Sequence, residues 1–157
     1  MVYAQEHTNH AKQKHHKHHL SVVNGGVRNF SHVTNTLTTG MDYEYRFSNL
    51  VGAGILTEVV FLHSNEFEIG LPIFFHPIKG LKFIADPLIA FTKEPTKGFN
   101  NEHNSTEGAK RTESSFHFRV GAGYDFQIHN LSFGPEINMD FSETQALVGC
   151  LSIGYGF

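Results

Sequence analysis

Histidines near the start of the chain are the residues with the clearest capacity for chemistry. Residues 5–19 hold six of the twelve histidines in the sequence, together with three lysines and almost nothing apolar. Four of these histidines stand close together: His15, His16, His18 and His19. Neutral imidazole suits zinc, copper or nickel. We predict no cofactor: the four histidines are candidate ligands for weak binding of such an ion, set against a solvated tail that touches anionic lipid.

Two short combinations place a hydroxyl beside a base, as nucleophilic catalysis requires. They are Ser115 with His117 and Ser142 with Glu143. Neither forms a Ser-His-acid constellation in the sequence, and such residues near strand ends usually belong to a polar rim. We therefore predict no catalytic residues, and a lipid-modifying enzyme stays open as an alternative.

Composition limits the class of protein further. The chain has 157 residues, enough for one domain, and a formal net charge of −3, which gives no basic surface for a nucleic acid. Cys150 is the only cysteine, so an internal disulfide and a multi-cysteine zinc site are excluded. No apolar stretch is long enough for a membrane-spanning helix. The half-apolar strands of a membrane β-barrel escape that test.

The N-terminal segment has too little apolar surface to offset the entropy cost of ordering it. We predict that residues 1–19 form a disordered, His-rich tail and that residues 20–157 form the folded domain. Val2 and Ala4 fit the end of a secretory signal, although the positive and long apolar parts of a signal are missing. A signal remnant and an arbitrary chain start both stay open for residues 1–4.

From Leu20 onward, apolar and polar residues alternate with the period of β-strands. The alternation predicts eight strands, at about 20–30, 37–47, 50–62, 65–76, 80–92, 116–128, 131–142 and 145–157. Short turns at 48–49, 77–80 and 129–130 join them at one end, and the longest loop, 94–113, lies at the other. This arrangement predicts an all-β fold: an eight-stranded antiparallel up-and-down β-barrel.

The aromatic residues predict which face of the barrel is outside. When the hairpins are aligned on their tight turns, one band of aromatic residues collects at the turn end: Tyr45, Phe47, Phe75, Phe83, Phe126, Phe133, Tyr155 and Phe157. A second band falls near the other end: Phe61, Phe67, Phe91, Phe116, Phe118 and Phe141. Two aromatic girdles around an aliphatic belt are typical of the two interfaces of a bilayer. The apolar face is therefore predicted to face lipid.

The opposite face carries the charged residues and is predicted to fill the barrel interior. The polar network that we expect there consists of Asp42, Glu44, Arg46, Glu58, Arg119, Asp125, Glu136 and Asp140. Glu66, Glu68, Lys82 and Asp86 share the same face. Pairing Phe126 with Phe133 sets Arg119 across from Asp140. The charged face is equally compatible with an outer face in contact with water. A soluble lipocalin-like barrel that carries an apolar ligand therefore stays open as an alternative.

Prolines interrupt the alternation at three positions, Pro72, Pro87 and Pro135. Proline cannot donate a hydrogen bond to a strand ladder. Pro72 and Pro87 fall on adjacent predicted strands, where we expect a bulge or a gap in the ladder.

The last strand ends in apolar residues at alternating positions: Leu151, Ile153, Tyr155 and Phe157. This pattern resembles the C-terminal signal of bacterial outer-membrane barrels, which the barrel-insertion machinery is thought to read. With Tyr43–Phe47 and Gly121–Phe126, the chain from about Leu20 resembles the small eight-stranded outer-membrane barrel proteins.

The resemblance implies a transmembrane barrel in the bacterial outer membrane, surrounded by its lipid, with a closed interior and both termini in the periplasm. We expect a monomer whose loops contact an extracellular partner of unknown identity, and no nucleic-acid partner. The family hosts anchors, adhesins and lipid-modifying enzymes, so the resemblance implies no single activity. A structural or interaction role is the function we predict.

Overall fold

The computed structural model describes residues 16–30, 34–61, 65–94, 111–143 and 145–157. They form eight strands, two of which are interrupted: β1 (His18–Asn29), β2 (Thr34–Arg46), β3 (Val51–Phe61), β4 (Glu66–Gly70 and Ile73–Ile78), β5 (Leu81–Glu94), β6 (Arg111–Tyr124 and Phe126–Ile128), β7 (Leu131–Phe141) and β8 (Ala146–Gly156). Each strand pairs antiparallel with the next along the chain, and β8 pairs with β1. Because the last strand pairs with the first, the sheet closes and leaves no open edge. The predicted up-and-down barrel is confirmed.

The barrel has two unlike ends. The short connections at 47–50, 79–80 and 129–130 lie at one end, together with His18 and Gly156, and we call it the turn end. At the opposite end, which we call the loop end, the strands finish and start again at Asn29 and Thr34, Phe61 and Glu66, Glu94 and Arg111, and Phe141 and Ala146. No helix in the described part of the chain is long and apolar enough to cross a membrane.

Strand β1 begins at His18 rather than at Leu20, so the folded part starts slightly earlier than predicted. His18 pairs with Tyr45 and His19 with Glu44, which extends the β1–β2 ladder to the turn end. Residues 1–15, which make up most of the predicted tail, lie outside the described residues.

The register between β6 and β7 follows the prediction. Phe126 pairs with Phe133, which sets Arg119 opposite Asp140. Gly121 lies opposite Asn138, whose side chain occupies the space that a Cβ at position 121 would need. The small residue therefore lets a polar side chain lie inside the narrow barrel.

A gap in the ladder is present at Leu71–Pro72, between the two segments of β4. The carbonyl of Pro72 accepts from Gly54 of β3, and that of Pro87 accepts from Leu71. Because the N–H and C=O of a strand residue face the same neighbour, each proline removes a donor at this gap. The predicted irregularity is confirmed, whereas Pro135 lies in the uninterrupted β7.

The two faces of the barrel wall have the predicted orientation. Phe118, Ile137 and Leu151 are 41%, 55% and 64% exposed, whereas Arg119 and Asp140 are 3% and 5% exposed. The apolar face is therefore outside. A soluble carrier of an apolar ligand needs the reverse arrangement, so that alternative is wrong.

The interior is less uniformly polar than the sequence suggests. Phe74, Leu88 and Val148 are almost fully buried there among the charged residues. Val27, Val60 and Val148 pack together as a small apolar cluster. These side chains fill the space between polar groups, as expected for a barrel of this width.

Candidate functional site in the barrel interior

Arg119 is the centre of the largest ion-pair cluster in the interior. Its Nε donates to Oδ1 of Asp140 at 2.5 Å, and its Nη2 donates to Oδ2 of Asp140 at 2.8 Å. Nη1 donates to Glu58 at 2.5 Å and Nη2 to Glu68 at 3.1 Å. The paired contact with Asp140 has the two-pronged geometry that makes arginine–carboxylate pairs strong and directional. One guanidinium thus links β6 to β3, β4 and β7.

Lys82 forms a second cluster closer to the turn end. Its Nζ lies 2.8 Å from Oε2 of Glu136 and 3.7 Å from Oδ1 of Asp125. The Asn138 amide donates to the other oxygen of Glu136 at 2.8 Å. Glu136 thus receives both the lysine and the amide in a site that is nearly closed to solvent, whereas Oδ1 of Asn138 has no hydrogen-bond partner among the described residues.

A third group lies at the turn end itself. Oε1 of Glu44 lies 3.1 Å from Nε of Arg46 and 2.7 Å from Nε2 of His76. These residues lie on β2 and β4, and the Arg46 and His76 side chains line a cavity of about 260 Å³ that opens at this end. Asp42 is also buried in the interior, but within the described residues no ion pair joins it to a cluster.

The eight residues of the predicted interior network thus all lie on the inner face, and seven of them belong to the three clusters. The clusters also include His76, which the sequence analysis does not single out. The signal that could have found it is the alternation itself, because position 76 of the predicted strand 65–76 falls on the same face as Glu66 and Glu68.

The loop end holds a larger cavity, of about 450 Å³, whose wall includes Glu66, Glu68, His117 and Ser115. One ligand atom from each of Glu66, Glu68 and His117 lies within 4.8 Å of the others. Oγ of Ser115 lies 3.0 Å from Nε2 of His117, and Nδ1 of His117 lies 3.7 Å from Oε1 of Glu68. The structure therefore brings Ser115 and His117 together and adds two carboxylates that come from β4.

The second predicted nucleophile–base combination is also at the loop end. Ser142 and Glu143 line the same cavity, directly after β7. The Glu143 side chain is exposed.

The described tail histidines lie on different sides of the barrel wall. Outside, His18 stacks on Phe157, with 5.4 Å between ring centroids, and its Nδ1 lies 2.7 Å from the Tyr43 hydroxyl. His19 points inward, where its Nε2 lies 2.7 Å from Oγ of Ser132. The two cannot bind one ion while β1 stays paired. His16 lines the turn-end cavity, and His15 lies outside the described residues.

The predicted aromatic band is found on the outer face at the turn end. Tyr45 contacts Phe47, and Phe126 contacts Phe133, with ring centroids 5.3 and 5.5 Å apart. Further members of the band are Phe75 and Phe83, which pair across β4 and β5, and Tyr155 and Phe157, which stack on each other. Leu151 and Ile153 are exposed on the same strand as Tyr155. The four residues of the predicted insertion signal therefore all point outward.

No family model matches the sequence, and no curated protein matches it either. Solved structures match it in fold. The N-terminal β-barrel domain of OprF from Pseudomonas aeruginosa is 14% identical, with a TM-score of 0.59, over 88% of this chain and 97% of that one. Ail from Yersinia pestis, in complex with the heparin analogue sucrose octasulfate, is 15% identical, with a TM-score of 0.59, over 92% and 100% of the two chains.

Neisserial surface protein A is 8% identical, with a TM-score of 0.61, and the match covers 89% of this chain and 96% of that one. The structural neighbours are small eight-stranded outer-membrane β-barrels. At these low identities the similarity extends to the fold alone: the chain has the architecture of that group.

Proposed function

We propose that this protein is a monomeric bacterial outer-membrane barrel that holds its loop-end segments outside the cell as a contact surface for an extracellular partner. The observation that carries the proposal is the inverted wall, in which apolar side chains face outward and ion pairs face inward. Exposed apolar residues cover the outer face of every strand, which in water would cause aggregation and in a bilayer is stabilising.

The position of the aromatic band supports the proposed orientation. Tyrosine and phenylalanine at the turn end would lie at the headgroup level of one leaflet, where amphipathic rings are favoured. Outer-membrane barrels have short periplasmic turns and longer extracellular loops, so the turn end would face the periplasm and the loop end the exterior. The outward Leu151, Ile153, Tyr155 and Phe157 would be read by the insertion machinery during assembly.

Membrane residence can be tested by expressing the full chain and separating the membranes. We expect the protein in the outer-membrane fraction, a need for detergent, and gel migration that changes on heating because the closed barrel resists unfolding. Monodisperse protein in plain buffer would contradict the proposal.

The orientation can be tested separately with epitope tags on intact cells. A tag inserted at residues 101–104, in the longest loop, should be accessible to antibody. The matched control is the same tag at the 129–130 turn, which should become accessible only after the outer membrane is permeabilised. The opposite pattern would reverse the proposed topology.

The proposed role does not include catalysis. Mass spectrometry of lipid A from cells with and without the protein should give the same profile, and a protein-dependent change would support the enzyme alternative.

A further inference from the structure

We propose that Glu66, Glu68 and His117 form a binding site for a divalent transition-metal ion, such as zinc, in the loop-end cavity. This site goes beyond the proposed contact function and does not involve the histidines of the tail.

Two strands carry these ligands, and a third strand lies between them. Glu66 and Glu68 lie two residues apart on β4 and therefore face the same way, into the barrel. His117 reaches them from β6, on the far side of β5. Between the strands lies Ala90 of β5, which pairs with Glu68 on one side and with Ser115 on the other. Its small, fully buried side chain leaves the space in which the longer side chains approach each other.

Each ligand is held in place through an atom that is not needed for the metal. Thr92 donates to Oε2 of Glu66 at 3.2 Å, and Arg119 donates to Oε2 of Glu68 at 3.1 Å. Ser115 lies 3.0 Å from Nε2 of His117. One oxygen of each glutamate and Nδ1 of the imidazole would therefore be the atoms that bind the ion. Such outer contacts orient ligands and select the histidine tautomer in metal sites.

The distances favour a metal site over a Ser-His-Glu catalytic group. A hydrogen bond from imidazole to carboxylate would bring the two atoms within about 3.2 Å. The observed separation between Nδ1 of His117 and Oε1 of Glu68 is 3.7 Å. Ligand atoms around a tetrahedral zinc, with bonds of about 2.1 Å, lie about 3.4 Å apart. The three ligand atoms, which lie within 4.8 Å of one another, would have to draw together to about this separation to bind the ion.

Charge and ligand chemistry specify the class of ion. Arg119 carries one positive charge and contacts three carboxylates, which leaves negative charge at this end of the interior for a dication to neutralise. One imidazole with two carboxylates suits zinc or another first-row ion better than calcium or magnesium, which take oxygen ligands. Three protein ligands would leave a coordination position open toward the cavity.

Zinc calorimetry on the folded full-length chain in detergent micelles tests the proposal. The measurement uses a background variant in which His7, His10, His15 and His16 are replaced by alanine, so that binding by the tail does not obscure the site. We expect one zinc per chain in this background. His117→Ala should weaken binding at least tenfold, and Ser115→Ala should weaken it about tenfold without abolishing it, because Ser115 is an outer contact.

The matched control is His129→Asn, a histidine on a turn at the opposite end whose φ of 57° asparagine tolerates. It should leave zinc affinity unchanged, and heat-modifiable gel migration should show that every variant is folded. Absence of zinc binding in the background, or equal affinity in the His117→Ala variant, would overturn the proposal. Hydrolysis of a p-nitrophenyl ester that is lost with Ser115→Ala and insensitive to chelators would also overturn it and assign the residues to a hydrolase.

Discussion

Arg119 contacts carboxylates from three other strands while almost fully buried. Breaking a buried ion pair leaves the remaining charge without compensation, which costs more than the pair contributes when intact. Arg119 therefore contributes to stability mainly because it compensates the charges of Glu58, Glu68 and Asp140, which are buried around it.

Replacing Arg119 by methionine, which keeps much of its volume, should lower the free energy of unfolding by about 3–5 kcal/mol. Chemical denaturation of the barrel in vesicles measures the change. The control is Arg46→Met, whose guanidinium lies at the more open turn end and contacts one carboxylate. An equal loss in the two variants would contradict a central role for Arg119.

Part of this residue-level arrangement could be predicted. The Arg119–Asp140 pair follows from hairpin register, which depends only on the turn and the alternation. The contacts of Arg119 with Glu58 and Glu68 cross the interior and depend on barrel closure, which no local pattern contains. The same limit applies to the meeting of Glu66 with His117.

At the scale of the strand, the interruption of β4 has a direct chemical cause. Pro72 cannot donate toward Gly54, although its own carbonyl accepts from the Gly54 amide at 2.9 Å. One of the two backbone hydrogen bonds that would join positions 54 and 72 is therefore missing.

Pro72→Ala should supply the missing donor and close the gap. We expect the new amide at position 72 to be protected from hydrogen exchange, as measured by NMR, since it would donate to the ladder. Pro135→Ala is the matched control in the uninterrupted β7. Exchange at position 72 as fast as in an unfolded chain would mean that the local backbone, and not the proline, causes the gap.

The last strand is the second element for which we propose a specific role, as a signal for insertion. Phe157 stacks on His18 and Tyr155 at the outer surface. Phe157→Ala should reduce the amount of folded barrel assembled in cells and leave refolding in detergent nearly unchanged, because the insertion machinery acts only in cells. Phe61→Ala, an exposed aromatic at the loop end of β3, is the control. Equal effects of both variants in cells would contradict a signal in β8.

The alternation of apolar and polar residues predicts a strand well where the outer face is apolar and the inner face is polar, as in β2, β7 and β8. It predicts a strand less well where the inner face is also apolar. In β5, buried Ile84, Leu88 and Ala90 follow the same inner face as Lys82. The break in β6 at Asp125 also escapes prediction, because the Asp125 amide donates to the Gly80 carbonyl at 2.7 Å, a contact between two hairpins.

At the scale of the whole molecule, the described interior is occupied along its length. The Arg119 and Lys82 clusters and Phe74 lie between the cavities at the two ends. Planar-bilayer recordings should therefore contain no large, stable openings. Frequent large openings would mean that the clusters do not block the interior.

The overall topology could be predicted because short turns and strands of alternating apolar and polar residues recur along the chain. Together these two features predict an up-and-down barrel. The biological role could not be predicted in the same way. Small barrels of one architecture support unrelated activities, which reside in loops and local sites. The surface that would meet a partner contains no motif that specifies one.

The apolar outer face of the barrel should meet lipid, and the inner face should not. A fluorescent label on single cysteines in a Cys150→Ser background tests this directly, in vesicles that contain a lipid-borne quencher. One label is placed at Leu151→Cys on the outer face, and the other at Ser115→Cys on the inner face, where the side chain lines the loop-end cavity. We predict strong quenching by the lipid at position 151 and little at position 115. Quenching at position 151 by aqueous iodide but not by lipid would contradict a lipid-facing outer wall.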